Sequence, residues 1–180
     1  MRLTARPLTA AAFAPFGDVV TAAAVDGRVA LPGIATLRPA APPLLGWFHA
    51  AASRLPLTVT AMERHRLSSQ CFVPEAGASW LLLVAPHDAA GGPDMAAARA
   101  FVADDAQAAT YAPDVWHHPL VALGRAARFT VLTFLDGSAE DEEFTTLPEP
   151  VEVLPVAPQQ QSRRPGVSRC KRGTPPCNSA

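Results

Sequence analysis

Leu57-Thr58-Val59-Thr60-Ala61-Met62-Glu63-Arg64-His65 is the stretch that decides the fold class of this chain. Apolar and polar residues alternate along it, and successive side chains of an extended strand point to opposite faces. On that reading Leu57, Val59 and Ala61 share one face with Glu63 and His65, while Thr58, Thr60, Met62 and Arg64 take the other. An acid and a histidine aimed inward at the end of an apolar strand face cost free energy unless each is paired. Groups of this kind concentrate at functional sites.

Short β-type runs lie on both sides of this strand. Asp18 to Thr21, Gln70 to Val73, Ser79 to Ala85, Phe129 to Leu135 and Val151 to Val153 each read as a strand. The run Trp80-Leu81-Leu82-Leu83-Val84 is the most apolar; it is far too short to span a bilayer and suits a central strand. Thr9 caps a short helix over Ala10 to Phe13, which Pro15 and Gly17 stop. A second short helix is expected over Pro93 to Val102, with Met95, Ala98, Phe101 and Val102 on one face. Residues 22–46, rich in Ala, Pro and Gly, predict irregular structure or short edge strands. Seven to nine short strands, two short helices and turn residues at nearly every junction predict an all-β barrel or sandwich rather than a βαβ sheet.

The chain has 180 residues, 49% of them hydrophobic and 17% charged, enough apolar mass for one domain with a real core. That domain is placed at residues 1–155. Residues 156–180 are expected to form a disordered basic tail, because Pro, Gln, Ser and Arg replace apolar residues there. Five basic residues and no acid follow Gln159, against ten basic and sixteen acidic residues before it. An acidic body gives no argument for nucleic acid or an anionic membrane. Lys171, in the tail, is the only lysine, so lysine-based catalysis in the body is excluded and any cation that grips a carboxylate there must be arginine. Three cysteines without a Cys-x-x-Cys pair argue against a disulfide framework and for a reducing compartment. With no secretory signal at the N-terminus, the expected location is the cytoplasm.

The chemistry-bearing residues fall in two runs, Glu63-Arg64-His65 and Trp116-His117-His118-Pro119-Leu120. Carboxylate and imidazole together can perform acid–base work or hold a metal. His117 and His118 are adjacent, so in an extended chain one of them points inward; Pro119 biases His118 to an extended conformation, and His118 is the choice. Glu63, His65 and His118 then form a candidate divalent-metal set, although the sequence does not require a metal.

Several runs together resemble the ureidoglycolate lyase family. They are Arg6-Pro7-Leu8-Thr9 with Phe13 and Phe16-Gly17-Asp18-Val19; Leu55-Pro56-Leu57-Thr58-Val59 leading into Glu63-Arg64-His65; Ser69-Gln70-Cys71-Phe72-Val73-Pro74; Ala98-Arg99-Ala100-Phe101; and Tyr111 with Trp116-His117-His118-Pro119-Leu120. The resemblance covers roughly residues 3–150. It implies a cupin-like β-barrel, a homodimer, and cleavage of ureidoglycolate to glyoxylate and urea in the breakdown of allantoin, with a divalent metal in some members.

Breaking the carbinolamide C–N bond needs a base for the hydroxyl proton and an acid for the departing nitrogen. Glu63 is the expected base, or a ligand if a metal is present. His65 is the expected acid, and His118 completes the catalytic group. Gln70, Arg38, Arg64, His117, Tyr111 and Trp116 are the expected substrate-binding residues; a regular strand would point Arg64 away from Glu63 and His65. The chain departs from the family at its arginines. Leu31 to Arg38 offers only Arg38, Phe48-His49-Ala50 precedes the Leu-Pro-Leu run, and Leu135-Asp136-Gly137 ends the last long strand. These departures keep open a cupin-like small-acid binding protein without turnover, or a related lyase or hydrolase acting on another ureido or hydroxy acid.

Overall fold

Trp80 through Ala85 are all buried, which explains why that run shows no polar alternate. The computed structural model describes residues 1–22 and 27–157. The tail expected beyond residue 155 therefore lies, from residue 158 on, outside the described residues. In chain order the elements are β1 (Arg2–Thr4), β2 (Arg6–Pro7), α1 (Ala10–Phe13), β3 (Gly17–Thr21), β4 (Pro43–Ala50), β5 (Ala52–Ser53), β6 (Leu57–Arg64), β7 (Gln70–Pro74) and β8 (Ser79–Ala85). A 3₁₀ turn (Met95–Ala97) precedes β9 (Arg99–Asp104), β10 (Gln107–Tyr111), β11 (Trp116–His117), β12 (Val121–Leu123), β13 (Ala127–Phe134) and β14 (Glu143–Leu154).

The strands form two sheets, giving the all-β, barrel-like architecture the sequence predicts. One sheet has nine strands, in the order β1-β14-β6-β11-β8-β12-β5, with β9 along the other edge of β8 and β2 beyond it. The other has five, in the order β3-β10-β7-β13-β4. Trp80, Leu82 and Val84 meet Phe72, Tyr111 and Phe129 of the second sheet in one core cluster. Leu81, Leu83 and Ala85 enter a second cluster with Val59, Met62, Val151 and Val153. Strand β8 thus serves two cores with its two faces.

Thr9 does cap α1, its side chain accepting from the Ala12 amide. At Gly17, where φ is 147°, a Cβ would collide with the Thr110 carbonyl oxygen, so only glycine lets β3 lie against β10 there.

Four expectations are corrected. The helix expected over Pro93 to Val102 shrinks to one 3₁₀ turn, capped by Asp94 at the Ala96 and Ala97 amides. Arg99 to Asp104 instead pairs with Ser79 to Val84 of β8, burying Ala100, Phe101 and Ala103; sheet pairing overrides a helical pattern this short. The strand count rises to fourteen among the described residues, several of only two or three residues. The stretch read as irregular or short edge strands ends in an eight-residue strand, β4. The strict alternation along β6 also breaks: Val59 and Met62, three positions apart, join the same cluster. The break lies where the partner strand β14 shifts register between Thr146 and Val151. Pro148 and Pro150 fall in that shift, where a residue without an N–H costs no ladder bond.

Candidate active site

Strand β11 is only two residues long, yet it wedges between β6 and β8 and sets His117 directly across from Glu63. Directly paired residues present their side chains on the same face. His117 Nε2 lies 3.2 Å from Glu63 Oε1. The second sheet adds Tyr111 and Gln70, which are paired across β10 and β7. Tyr111 stacks on the His117 ring with centroids 4.3 Å apart and planes 15° from parallel. Gln70 Oε1 is 3.2 Å from His117 Nε2. His65, just past β6, places its ring 5.5 Å from that of His117.

Glu63, His65 and His117 are 7%, 5% and 2% exposed, so this is a buried carboxylate with two buried imidazoles. Burial of that kind is tolerated when the charges are paired and hydrogen-bonded. As an imidazolium, His117 satisfies all its neighbours: Nδ1–H donates to the Val115 carbonyl at 2.8 Å and Nε2–H is shared between Glu63 and Gln70. As a neutral imidazole that keeps Nδ1–H, it turns a lone pair toward Glu63. Burial, reinforced by the Glu63 charge, pushes the Tyr111 hydroxyl far above its ordinary pKa, so the phenol stays neutral.

Glu63, His65 and His117 each offer one donor atom, all within 4.8 Å of one another. The geometry thus puts His117, not His118, into the three-donor set. The reason is the pairing register, which spends the inward position on His117. His118 donates its backbone N–H to Leu83, and its ring Nδ1 bonds the Pro119 carbonyl at 2.7 Å. Burial lowers its pKa, partly offset by that carbonyl and by Glu63. His65 Nε2 is buried with no hydrogen-bond partner among the described residues. A divalent cation fits this donor set, since a carboxylate oxygen and two imidazole nitrogens suit several such ions.

A cavity of about 260 Å³ opens at the set. Glu63 and Gln70 reach its surface, Phe72 and Val131 line it, and Trp47 and Phe48 stand at its rim. Among the described residues no arginine lines it. Arg38 is held by Asp136 and Asp141. Arg64 points away, as a regular strand end requires: it bonds Glu143 and Asp114 and lies 4.4 Å over the ring of Trp116. Trp116 belongs to the second core cluster and donates its indole N–H to Gly91. A larger groove of about 780 Å³ runs along Arg2, Arg6 and Arg99, and none of the donor set lines it.

Two contributors were not foreseen from sequence. One is the backbone carbonyl of Asp141, which lies 2.8 Å from His65 Nδ1; no sequence pattern announces a carbonyl. The other is the rim on β4, whose signal was on view in Leu44-Leu45-Gly46-Trp47-Phe48.

The chain is similar to known proteins over most of its length. The family model described as ureidoglycolate lyase matches residues 1–154. A ureidoglycolate lyase of Burkholderia mallei (strain NCTC 10229) is 41% identical over 143 residues, covering 72% of this chain and 81% of that protein. One from Stutzerimonas stutzeri (strain A1501) is 37% identical over 172 residues, covering 89% and 98%. Among solved structures, a dTDP sugar isomerase from Desulfovibrio desulfuricans G20 aligns with a TM-score of 0.42 at 17% identity, covering 72% of this chain and 82% of that one. On the family match and these identities, the chain belongs to the ureidoglycolate lyase family.

Proposed function

We propose that this protein is a carbon–nitrogen lyase that splits ureidoglycolate into glyoxylate and urea. The observation that carries the reading is a buried carboxylate hydrogen-bonded to an imidazole, with the carboxylate at the surface of a small cavity. The Glu63 carboxylate takes the proton of the substrate hydroxyl. The O–H electrons become the second bond of the aldehyde carbonyl, the C–N bond breaks, and its electron pair leaves on the urea nitrogen. That nitrogen takes a proton from the acid form of the set. His117, bonded to Glu63, carries that proton, and His65, which the sequence offered as acid or ligand, keeps the ligand role. Each transfer of this kind contributes typically about 10²–10⁴-fold. Gln70 supplies amide hydrogen bonds for the ureido group, and Tyr111 holds the His117 ring in place by stacking.

Glu63, His65 and His117 would hold a divalent ion where the protein uses one. Bound there, it would polarise the substrate hydroxyl and carry charge opposite the substrate carboxylate. This suits a cavity that no arginine lines among the described residues.

The reading includes a place in allantoin catabolism, a cytoplasmic location and a homodimer. Among the described residues no helix is long and apolar enough to cross a membrane. For the dimer, strand β4 supplies the surface: it is an edge strand with Leu45 71% and Trp47 70% exposed. The test is release of glyoxylate and urea from racemic ureidoglycolate, with and without a chelator. Enzyme-dependent release supports the lyase, and the chelator arm decides the metal. Folded protein that releases neither product, even with added divalent ions, sinks the reading and returns the site to a small-acid binder or a different ureido substrate.

A further inference from the structure

Asp141 joins the buried donor set to the surface of the barrel. Its backbone carbonyl lies 2.8 Å from His65 Nδ1. A carbonyl oxygen only accepts, so the proton of that bond sits on Nδ1 and a neutral His65 carries its lone pair on Nε2. Nε2 is the buried atom with no hydrogen-bond partner among the described residues.

The carboxylate of the same residue is gripped from the other side. It ion-pairs with the Arg38 guanidinium and accepts the amides of Gly137 at 2.7 Å and Asp136 at 3.3 Å. Arg38 also reaches the Asp136 carboxylate at 2.6 Å and the Ser138 hydroxyl at 3.0 Å. The segment that carries Arg38 is itself pinned beside the site. Leu37 donates its amide to the Leu67 carbonyl at 2.7 Å, and Ser69 donates its own to Ala35 at 2.9 Å. One guanidinium therefore ties the Asp136–Asp141 loop to the connection between His65 and Gln70.

We propose that Arg38 is a positioning residue. By holding Asp141 against His65 it fixes the Nδ1–H tautomer and keeps the Nε2 lone pair turned toward Glu63 and His117. Arg38 does this without touching the substrate: it does not line the cavity, and both its terminal nitrogens are engaged by acids. The kinetic part of the proposal rests on the lyase reading; the tautomer part stands by itself.

The test uses the full chain with ¹⁵N-labelled histidine, as wild type, Arg38→Met, Arg38→Lys and Asp141→Asn. In wild type the neutral form of His65 should carry its proton on Nδ1. Arg38→Met should mix the two tautomers and lower kcat about tenfold or more, with KM within about twofold. Arg38→Lys should recover much of both signals, because it restores the charge on Asp141. Asp141→Asn keeps the carbonyl but loses the ion pair, so it should repeat the Arg38→Met result. It also serves if Arg38→Met fails to fold. An unchanged His65 tautomer in a folded Arg38→Met or Asp141→Asn variant overturns the proposal. So does a tenfold rise in KM at constant kcat, which would make Arg38 a substrate clamp. If no variant and not even wild type turns over ureidoglycolate, the lyase reading fails and the tautomer comparison alone decides the role of Arg38.

Discussion

Glu63 and Trp47 line the same cavity and depart from ordinary burial in opposite directions. The carboxylate is 7% exposed and the indole 70% exposed. The difference lies in where their strands sit. Strand β6 is flanked on both sides, by β14 and β11, and the pairing brings a specific partner, His117, to the buried acid. Strand β4 is paired on one side only, with β13, and among the described residues Trp47 has little company beyond Arg128, 5.1 Å over its ring. The wall of the cavity is thus fixed by neighbours on two sides. Its rim is left apolar and open, with no charged residue anywhere along β4. Long uncharged edge strands are the places where chains pair with other chains.

Four substitutions and a pH series sharpen this contrast between wall and rim. Glu63→Gln, nearly isosteric, should lower turnover by about 10²–10⁴-fold while the protein stays folded. His65→Asn should do the same. Steady-state glyoxylate release and a thermal melt read both variants, and wild-type rates would remove the wall from the chemistry. On stability, Leu82→Ala beneath the wall should cost roughly 2–5 kcal/mol in denaturant unfolding. Trp47→Asp at the rim should instead cost little in the fold. It should raise the dimer dissociation constant by tenfold or more in sedimentation equilibrium, and an unchanged association would mean that β4 is no interface.

The smallest effect is the pH response of the loop that carries Asp141. Hydrogen bonds from Ser138 lower the Asp136 pKa, and the Arg38 charge adds to this. At Asp141 burial acts upward, but the bonds from Arg38, Asp136 and Gly137 outweigh it and the net shift is down. Carboxylates lowered in the folded state add stability above their unfolded value, near pH 4, and lose it as pH falls below that through the folded value. The melting temperature of wild type should therefore drop more steeply between about pH 4 and pH 2 than that of Arg38→Met. Parallel curves would show that the loop contributes nothing there.

Much of the frame was legible in the residues. The strands over β6, β7, β8 and β13 announced themselves through β-branched or apolar runs bounded by Pro and Gly. The pairing of an inward acid with a histidine was legible as well, because period-two alternation fixes relative faces over a few residues. It was not legible which of His117 and His118 faces inward. That is set by register against β6 and β8, which only the folded sheet defines. Strand β10 escaped because Gln107-Ala108-Ala109-Thr110-Tyr111 has weak β propensity and is held by β3 and β7 on either side. Most of β14 escaped because Pro148 and Pro150 offer no ladder N–H, whereas the sheet absorbs them in a register shift. Arg38 looked like a free cation because its two acid partners lie about 100 positions downstream.

The placement of β14 also governs when a catalytic centre can first exist during synthesis. Its residues pair with the strand that bears Glu63, from Glu143 opposite Arg64 to Val153 opposite Leu57, and with β1 near the start of the chain. A nascent chain that has emerged only to residue 140 lacks the carbonyl that meets His65 and leaves an open hydrogen-bonding edge beside Glu63. Such late, long-range strand pairing is slow, and its exposed edge is open to association with other chains. On the ribosome this protein therefore carries its acid–base pair unfinished until β14 has emerged and closed against β6.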